Sequence, residues 1–268
     1  MRPNIVASPE KAVTGKQKIE WVRRNMPILR QLEAEFLQQR PFAGKRVLVC
    51  VHLEAKTAYL ALVIAAGGAE VVVTGSNPGS TKDDVVAALD AKGLHVYARY
   101  GASLEEMHRY TGYALELRPH LVIDDGGDVV ELLHDSHRDL AADVLGACEE
   151  TTTGVLRARE RAANGALNFP VMLINEARCK YLFDNVHGTG QSVWDAIMRT
   201  TNLVLAGKTI AIIGFGWCGR GCALRAVGLG AKVIVCEVDA VKAADAAMNG
   251  YQVMPLLDAC PKADIVLT

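Results

Sequence analysis

A strand, a glycine-rich turn and a helix follow one another over residues 209–227, and this feature constrains the fold more than any other. The β-branched run Thr209–Ile213 leads into Gly214-x-Gly216-x-x-Gly219, and an apolar helical run follows. The first glycine permits a tight turn, the second lets a pyrophosphate approach the backbone, and the third lets the helix pack closely on the strand. The phosphates would lie at the positive N-terminal end of that helix. The pattern predicts a dinucleotide-binding unit.

A second apolar strand, Lys232–Cys236, ends at an acid that would select the cofactor. Glu237 follows it directly, 23 residues after Gly214. A carboxylate at this place binds the ribose hydroxyls of NAD and repels the additional phosphate of NADP. The sequence therefore predicts NAD as cofactor, and the residues expected to bind it in this region are Gly214, Phe215, Gly216, Trp217, Cys218, Gly219, Glu237 and Lys242.

Strands and helices alternate along the preceding part of the chain. Apolar strand-like runs occur at 46–52, 70–74, 94–97, 121–123 and 169–174. Alternation of this kind predicts a mostly parallel sheet with helices on both faces. We expect an α/β fold with two doubly wound, Rossmann-like parallel-sheet domains. Residues 1–185 would form a substrate-binding and catalytic domain, and residues 186–268 an incomplete, N-terminal half of an NAD-binding domain.

Two local features qualify the helical segments. Helical periodicity runs from Gln17 to Gln39 with Pro27 inside it. Proline removes a backbone donor and clashes with the preceding turn, so the helix should be kinked or divided there. The polar and glycine-rich stretch 184–190 predicts a break, followed by a helix from Ser192 to about Val204.

Composition excludes several classes of partner. The net charge of −1 gives no electrostatic reason to expect nucleic acid or an acidic membrane surface. Seven scattered cysteines without a Cys-x-x-Cys pair favour reduced thiols over a metal site. We find neither a signal-peptide pattern nor an apolar run of about 18 residues. We expect a cytoplasmic protein with no metal, nucleic-acid or membrane partner.

Polar residues follow several of the predicted strands. His52, Asn77 and the stretches 124–128 and 149–153 would all lie at the carboxyl ends of parallel strands, where such sheets bind ligands. By spacing alone each has an ordinary explanation. Asp-Asp-Gly-Gly is typical of a turn, three threonines of a helix cap, and an acid four residues after a lysine of a surface ion pair.

The order in which six motifs occur favours a functional explanation of these residues over the ordinary ones. They are His52-Leu-Glu-Ala-Lys-Thr57, Ser76-Asn-Pro-x-Ser-Thr81, Asp124-Asp-Gly-Gly-Asp128, Glu149-Glu-Thr-Thr-Thr-Gly154, Lys180-x-x-x-Asp184-Asn185 and Gly214-x-Gly-Trp-Cys-Gly-Arg-Gly221. Together they resemble S-adenosyl-L-homocysteine hydrolase, in particular its archaeal and thermophilic branch. The resemblance extends from about Gln17 to the last residue.

The resemblance implies a reaction and a set of ligands. Members of the family hydrolyse S-adenosyl-L-homocysteine reversibly to adenosine and L-homocysteine with a tightly held NAD. The route is 3′-oxidation, elimination of homocysteine, addition of water and re-reduction. Members are usually homotetramers and are longer than this chain, so we expect these 268 residues alone to be inactive.

The resemblance also implies roles for individual residues. Asp125 takes the place of the acid/base at C4′ and C5′, and His52 assists at the leaving sulfur and the incoming water. Glu150 would accept hydrogen bonds from the ribose hydroxyls. Lys180 would help to remove the 3′-hydroxyl proton, and Asp184 would orient that hydroxyl.

Further residues are expected around the cofactor and the base. Asn185 would position Lys180 and adjoin the cofactor, with the hydroxyls of Thr151, Thr152 and Thr153 near the nicotinamide. Base recognition would fall to Glu54, Lys56 and Thr57. Many members have a threonine and a glutamate where this chain has Glu54 and Lys56, so adenine and hypoxanthine both stay open.

Three alternatives remain at this point. The substrate could be S-inosyl-L-homocysteine. The chain could instead be an ordinary NAD dehydrogenase acting on a hydroxy or amino acid, which would release NADH stoichiometrically. It could also be a non-catalytic relative that binds a nucleotide, although such a protein has no need of the complete set of acids and bases.

Overall fold

The computed structural model describes residues 2–268, and the chain divides into two compact units, Met1–Asn175 and Glu176–Thr268. Each unit contains one parallel sheet with apolar cores formed by both of its faces. The predicted α/β class with doubly wound parallel sheets is confirmed. The boundary predicted from sequence lies ten residues beyond this division, and the roles assigned to the two domains stay predictions.

The first unit contains eight α-helices and six strands in its described residues. The helices are α1 (Ala12–Asn25), α2 (Pro27–Gln39), α3 (Ala55–Ala66), α4 (Asp83–Asp90), α5 (Leu104–Leu115), α6 (Asp128–His134), α7 (Arg138–Ala141) and α8 (Thr152–Ala163). The strands are β1 (Arg46–Val51), β2 (Glu70–Gly75), β3 (His95–Tyr97), β4 (Leu121–Asp124), β5 (Gly146–Glu149) and β6 (Val171–Leu173).

The strand order of this sheet is β3-β2-β1-β4-β5-β6, and every pairing is parallel. The order reverses between β1 and β4, which is the place where open α/β sheets form a ligand crevice. Cys50 is paired with Asp124, and Asp124 with Glu149. The carboxyl ends of β1, β4 and β5 therefore lie side by side.

Strand β1 shows why its sequence is continuously apolar. Val47, Val49 and Val51 belong to one hydrophobic core, whereas Leu48 and Cys50 belong to the core on the opposite face. Successive side chains of a strand point to opposite faces. Because helices cover both faces, both sets of side chains are buried and no polar alternation remains.

Pro27 divides the first helical region as predicted. It is the first residue of α2, and Met26 separates it from the end of α1. Proline is well suited to this position because the first amides of a helix have no intrahelical acceptor.

The second unit contains a shorter sheet in the order β9-β8-β7-β10, again entirely parallel. Its elements are a π-helical segment (Lys180–Thr189), α9 (Gly190–Thr201), β7 (Thr209–Ile213), α10 (Trp217–Gly228), β8 (Lys232–Cys236), α11 (Ala240–Met248), β9 (Gln252–Val253), α12 (Leu256–Ala259) and β10 (Ile265–Leu267). Across residues 2–268, no helix has both the length and the apolar character that crossing a bilayer requires.

The predicted break at 184–190 is wrong, because the π-helical segment continues directly into α9. Gly190 and, on α10, Gly221 permit close packing between this region and α10. A Cβ atom on Gly190 would lie 2.6 Å from the carbonyl carbon of Gly221, and one on Gly221 would lie 2.1 Å from the carbonyl oxygen of Val186. The two backbones therefore approach more closely than residues with side chains would allow.

Candidate active site

His52 and Asp125 meet at the switch point of the first sheet. His52 follows β1, Asp125 follows β4, and His52 Nε2 lies 3.5 Å from Asp125 Oδ2. The Asp125 side chain is 6% exposed and that of His52 is 52% exposed. A buried carboxylate is thus paired with an imidazole that reaches solvent, an arrangement suited to moving a proton between the two and a bound molecule.

Ser80 fixes the ring orientation of His52. Its hydroxyl oxygen lies 2.6 Å from His52 Nδ1 and 3.0 Å from the carbonyl oxygen of Asn77. A hydrogen bond at Nδ1 leaves the other ring nitrogen, Nε2, facing Asp125. Ser76 Oγ donates to Asp125 Oδ2 over 2.9 Å and helps to fix the carboxylate.

The residues predicted to recognise the base lie in the turn that follows His52. Glu54 caps α3, because its Oε1 accepts from the amides of Lys56 (2.8 Å) and Thr57 (3.2 Å). Thr57 Oγ1 donates to the carbonyl oxygen of His52 over 2.7 Å. The Lys56 side chain is exposed. Glu54 and Thr57 thus hold the turn that carries the histidine.

Asp124 and Glu149 are two buried acids on adjacent strands. They are 0% and 1% exposed and are paired in the sheet. Asp124 accepts hydrogen bonds from the amides of Asp125 and Val130, each over 3.0 Å. Burial, reinforced by the charge of Glu149, raises the pKa of Asp124 to about 7.

Glu149 connects the two loops that carry Asp125 and Glu150. Its Oε1 accepts from the amide of Gly126 (3.0 Å) and from the amide and hydroxyl of Thr151 (2.8 and 2.9 Å). The Thr151 hydroxyl therefore donates inside the protein and also caps α8 by accepting from the Gly154 amide. The side chains of Thr152 and Thr153 are exposed.

Sequence reasoning assigned roles to Asp125 and Glu150 but missed Asp124 and Glu149. Both pairs are doubled acids at the end of a strand. Successive side chains point in opposite directions there, so the two acids of each pair should have different surroundings. That alternation could have indicated that one acid of each pair lies apart from the other, although not which one.

The glycine loop of the second unit has the geometry that a pyrophosphate requires. Gly214 has φ +96°, a conformation that favours glycine. A Cβ atom on Gly219 would lie 2.1 Å from the Gly214 carbonyl oxygen, whereas one on Gly216 would meet no atom within 4 Å. No side chain caps the N-terminus of α10. An anion can therefore approach the loop and the first amides of the helix, and the residues fit a dinucleotide.

Glu237 is fixed against this loop. Its Oε2 accepts from the Phe215 amide over 2.7 Å, and its Oε1 accepts from the amides of Val238 (2.7 Å) and Asp239 (3.0 Å). The Asp239 and Phe215 amides, in that order, lower the pKa of Glu237. On the helix that follows, Lys242 places its Nζ atom 3.7 Å from Asp239 Oδ2. The carboxylate is thus held ionised beside the glycines.

The π-helical segment presents Lys180, Asp184 and Asn185. Lys180 Nζ lies 3.5 Å from Asp184 Oδ2, and the lysine side chain is 15% exposed. Asn185 Nδ2 donates to Cys218 Sγ over 3.2 Å. The rings of Tyr181 and Trp217 are stacked with centroids 4.6 Å apart. Asn185 and Tyr181 therefore attach this segment to the glycine loop.

Arg220 is a further residue that sequence reasoning missed. Its guanidinium lies over the rings of Phe215 and Trp217, at 5.2 and 5.4 Å from their centroids, and it forms an ion pair with Asp245. These contacts connect α10 to α11 and hold the aromatic residues of the loop. The structure thus brings the predicted residues together in two groups, one within each unit.

Comparisons with known proteins agree with this arrangement. A family model described as S-adenosyl-L-homocysteine hydrolase matches residues 4–142, and one described as the NAD binding domain of that enzyme matches residues 185–268. Among solved structures, a dipicolinate synthase from Bacillus halodurans aligns over 84% of this chain and 73% of its own, at 14% identity and a TM-score of 0.47. That likeness is too low to support a conclusion about function.

Curated relatives are much more similar. The adenosylhomocysteinase of Pyrococcus abyssi is 51% identical over 99% of this chain, and the S-inosyl-L-homocysteine hydrolase of Methanothermobacter thermautotrophicus is 50% identical over 96%. The adenosylhomocysteinase of Thermotoga maritima is 50% identical over 95%. The chain spans 62%, 62% and 63% of the length of these three proteins. It belongs to the S-adenosyl-L-homocysteine hydrolase family, and its second unit to the NAD-binding domain of that family.

Proposed function

We propose that the protein reversibly hydrolyses S-adenosyl-L-homocysteine to adenosine and L-homocysteine with NAD as a resident cofactor. The observation that carries the proposal is the His52–Asp125 pair at the switch point of the first sheet, with Nε2 and Oδ2 3.5 Å apart. Once the 3′-hydroxyl has been oxidised to a carbonyl group, elimination of homocysteine needs a base for the proton on C4′ and an acid for the leaving sulfur. His52 and Asp125 are close enough to exchange a proton, and together they would supply both.

The proton transfers can be assigned to atoms of these two residues. Asp125 would take the proton from C4′ of the ribose as the C5′–sulfur bond breaks. His52, protonated at Nε2, would give that proton to the departing sulfur. Water would then add at C5′ and return a proton to His52, while Asp125 returns its proton to C4′. General acid–base groups of this kind contribute about 100- to 10,000-fold in rate.

The second group of residues would handle the 3′-hydroxyl. NAD, when bound, supplies the oxidation of C3′ and its reversal. Lys180, which Asp184 faces at 3.5 Å, would remove the hydroxyl proton, and Asp184 would orient the hydroxyl. Asn185 would hold this segment against the cofactor loop, and Glu150 would accept from the ribose hydroxyls.

The remaining cofactor contacts follow from the exposed donors and the glycine loop. Thr152 and Thr153 present exposed hydroxyls at the first turn of α8. The proton of Thr151 is already donated to Glu149, so Thr151 would contribute its position more than its hydroxyl. Glu237 would bind the ribose hydroxyls of the adenosine half of NAD.

The test is release of homocysteine from S-adenosyl-L-homocysteine by the protein as its gene encodes it, followed with a thiol reagent. We expect steady release of thiol without net reduction of added NAD. Stoichiometric reduction of NAD with no thiol release would instead identify a dehydrogenase. Binding of adenosine and NAD without either reaction would identify a non-catalytic relative.

S-inosyl-L-homocysteine is the second candidate substrate. The S-inosyl hydrolase of Methanothermobacter thermautotrophicus is 50% identical to this chain, and the exposed Lys56 can donate to the oxygen of hypoxanthine. Glu54 uses Oε1 to cap α3, and its Oε2 can accept from the amino group of adenine. We favour adenine, and hydrolysis of the two substrates side by side tests the choice. A clear preference for the inosyl compound would overturn it.

We also propose that the protein works as a homo-oligomer, as the family resemblance implies, and in the cytoplasm, as its seven scattered cysteines favour. Light scattering after size-exclusion chromatography measures the mass of the particle. A monomer that hydrolyses the substrate at full rate would contradict the proposal.

A further inference from the structure

Glu149 lies outside the set of residues that contact the reacting atoms in the proposed function, yet it is bound to both loops that carry acids of that set. Its Oε1 accepts from Gly126, which follows Asp125, and from Thr151, which follows Glu150. We propose that Glu149 is a positioning residue that fixes Asp125 and Glu150 relative to each other. The inference rests on the proposed function.

The two loops are held from further directions as well. The Gly126 carbonyl oxygen accepts from Arg157 Nη1 over 3.0 Å, so Gly126 is bound through both its amide and its carbonyl group. The Glu150 amide donates to the carbonyl oxygen of Asp124 over 3.1 Å. One carboxylate oxygen and one backbone bond therefore join the ends of β4 and β5 just where the acids begin.

The hydrogen bonding of Glu149 is uneven. All three donors converge on Oε1, whereas Oε2 is buried without a hydrogen-bond partner in the described part of the chain. A buried acceptor without a donor costs free energy, and native proteins keep few of them. Glu149 thus keeps a buried carboxylate despite this cost, and every hydrogen bond that the carboxylate makes goes to one of the two loops.

The Glu149 carboxylate occupies the space that a side chain at position 154 would fill. A Cβ atom on Gly154 would lie 2.1 Å from Cδ of Glu149 and 2.3 and 2.4 Å from its two oxygens. Gly127 has φ +81°, and a Cβ atom on this residue would lie 3.2 Å from the Gly154 Cα. The absence of side chains at these glycines is therefore what lets the glutamate reach both loops.

Gly154→Ala is the variant that tests the proposal, and Gly112→Ala is its matched control. Both glycines lie in helices of the first unit, at α8 and α5, and neither has a positive φ. A Cβ atom on Gly112 would meet nothing within 4 Å. The alanine at 154 should push the Glu149 carboxylate away from Gly126 and Thr151, while both variants keep the helix.

Two measurements are made on each variant of the full chain. Hydrogen exchange of the Gly126 and Thr151 amides reports their hydrogen bonds to Glu149, and this measurement does not require activity. Turnover of S-adenosyl-L-homocysteine, together with the dissociation constant of NAD, reports the consequence of losing these bonds. A misplacement of about 1 Å can lower a rate on the order of a hundredfold. We expect faster exchange at both amides and a kcat lowered on that order in Gly154→Ala, and wild-type values in Gly112→Ala.

Glu149→Gln and Glu149→Asp complete the set. Glutamine keeps an acceptor oxygen at the same reach and should preserve amide protection and most of kcat. Aspartate keeps the charge but is too short for both loops and should behave like Gly154→Ala, which covers the case that the alanine variant does not fold. Protected amides in Glu149→Asp, or lost protection with full kcat, would overturn the proposal. Absence of turnover in the wild-type protein would instead refute the proposed function. The exchange result would then still decide whether Glu149 holds the two loops together.

Discussion

The two units use the same strand order around their switch points but fill them differently. The first runs β3-β2-β1-β4 before continuing to β5 and β6, and the second runs β9-β8-β7-β10. After β1 comes His52 and a helix capped by the side chain of Glu54, whereas after β7 comes Gly214 and a helix without a side-chain cap. The same topology thus presents side chains in one unit and bare backbone amides in the other.

The second strand of each sheet shows the same contrast. Beyond β2, Ser76 donates to the carboxylate of Asp125. Beyond β8, the carboxylate of Glu237 accepts from the backbone of Phe215. In the proposed function the first unit holds and moves protons, and the second binds the dinucleotide. Substitutions in the two units should therefore separate turnover from cofactor binding.

Asp125→Asn should show the largest difference between its effect on turnover and its effect on NAD binding. An amide cannot take the C4′ proton, so kcat should fall by about 100- to 10,000-fold, while the dissociation constant of NAD stays unchanged. Thiol release and NAD titration measure the two quantities, and Asp139→Asn, at an exposed acid of α7, is the control. A parallel loss of NAD affinity in Asp125→Asn would break the comparison between the units.

Gly219→Ala should produce the opposite pattern. The new Cβ would lie 2.1 Å from the Gly214 carbonyl oxygen, and overpacking of this kind costs roughly 1–3 kcal/mol. NAD affinity should therefore fall about ten- to a hundredfold, as measured by titration of the protein freed of cofactor. Gly228→Ala, in the same helix with nothing within 4 Å of its Cβ, should bind NAD normally. Equal losses in both variants would show that the loop geometry is not the cause.

Glu237→Gln should change the choice between NAD and NADP. The neutral amide no longer repels a 2′-phosphate, and it weakens bonds to the ribose hydroxyls, each worth roughly 1–3 kcal/mol when made to a charged group. The preference for NAD should narrow by about tenfold, whereas Glu237→Asp should retain much of it. Titrations with both dinucleotides give the ratio. Wild-type protein that binds NADP as tightly as NAD would refute the role of Glu237.

The smallest effect concerns the pH dependence of stability, to which a buried acid of the first unit and two acids of the second unit contribute with opposite sign. Burial and the charges of Glu149 and Asp128 raise the pKa of Asp124 from 3.8 to about 7. The folded state thus binds the proton more tightly than the unfolded state, so this contribution is present below about pH 4 and is lost as the pH rises to about 7. Glu237 and Asp239, whose pKa values backbone amides lower, contribute in the opposite direction.

Asp124→Asn removes the titrating group. Between about pH 4 and about pH 7 the free energy of unfolding should fall less steeply with pH in this variant than in the wild-type protein. Urea unfolding at a series of pH values measures the slope. An unchanged slope would mean that Asp124 has an ordinary pKa despite its burial.

Local patterns predicted much of the fold and part of the site. The apolar run before Gly214 and the acid after β8 are sufficient to place a dinucleotide loop, because each of their functions depends on residues close in sequence. Pro27 divided a helix for the same reason. The stretch 184–190 could not be predicted in this way, since Gly190 serves a contact with Gly221, about thirty residues further along.

The site shows the same limit. Doubled acids at 124–125 and 149–150 mark a polar region, but their order in sequence does not say which acid of each pair is the more deeply buried. That depends on the register of β4 against β5 and on the space that Gly154 leaves for one carboxylate. The orientation of the His52 ring likewise depends on Ser80, which reaches it from the loop after β2.

By itself the sequence determined the alternation of strands and helices and the glycine loop, because periodicity and motif spacing act over short stretches of chain. Only the tertiary structure decided which acids are the most deeply buried, which nitrogen of His52 faces Asp125, and that a glycine-rich stretch is a helix. Those outcomes depend on close contacts between residues distant in sequence, where a single Cβ atom or one shared hydrogen bond selects the arrangement.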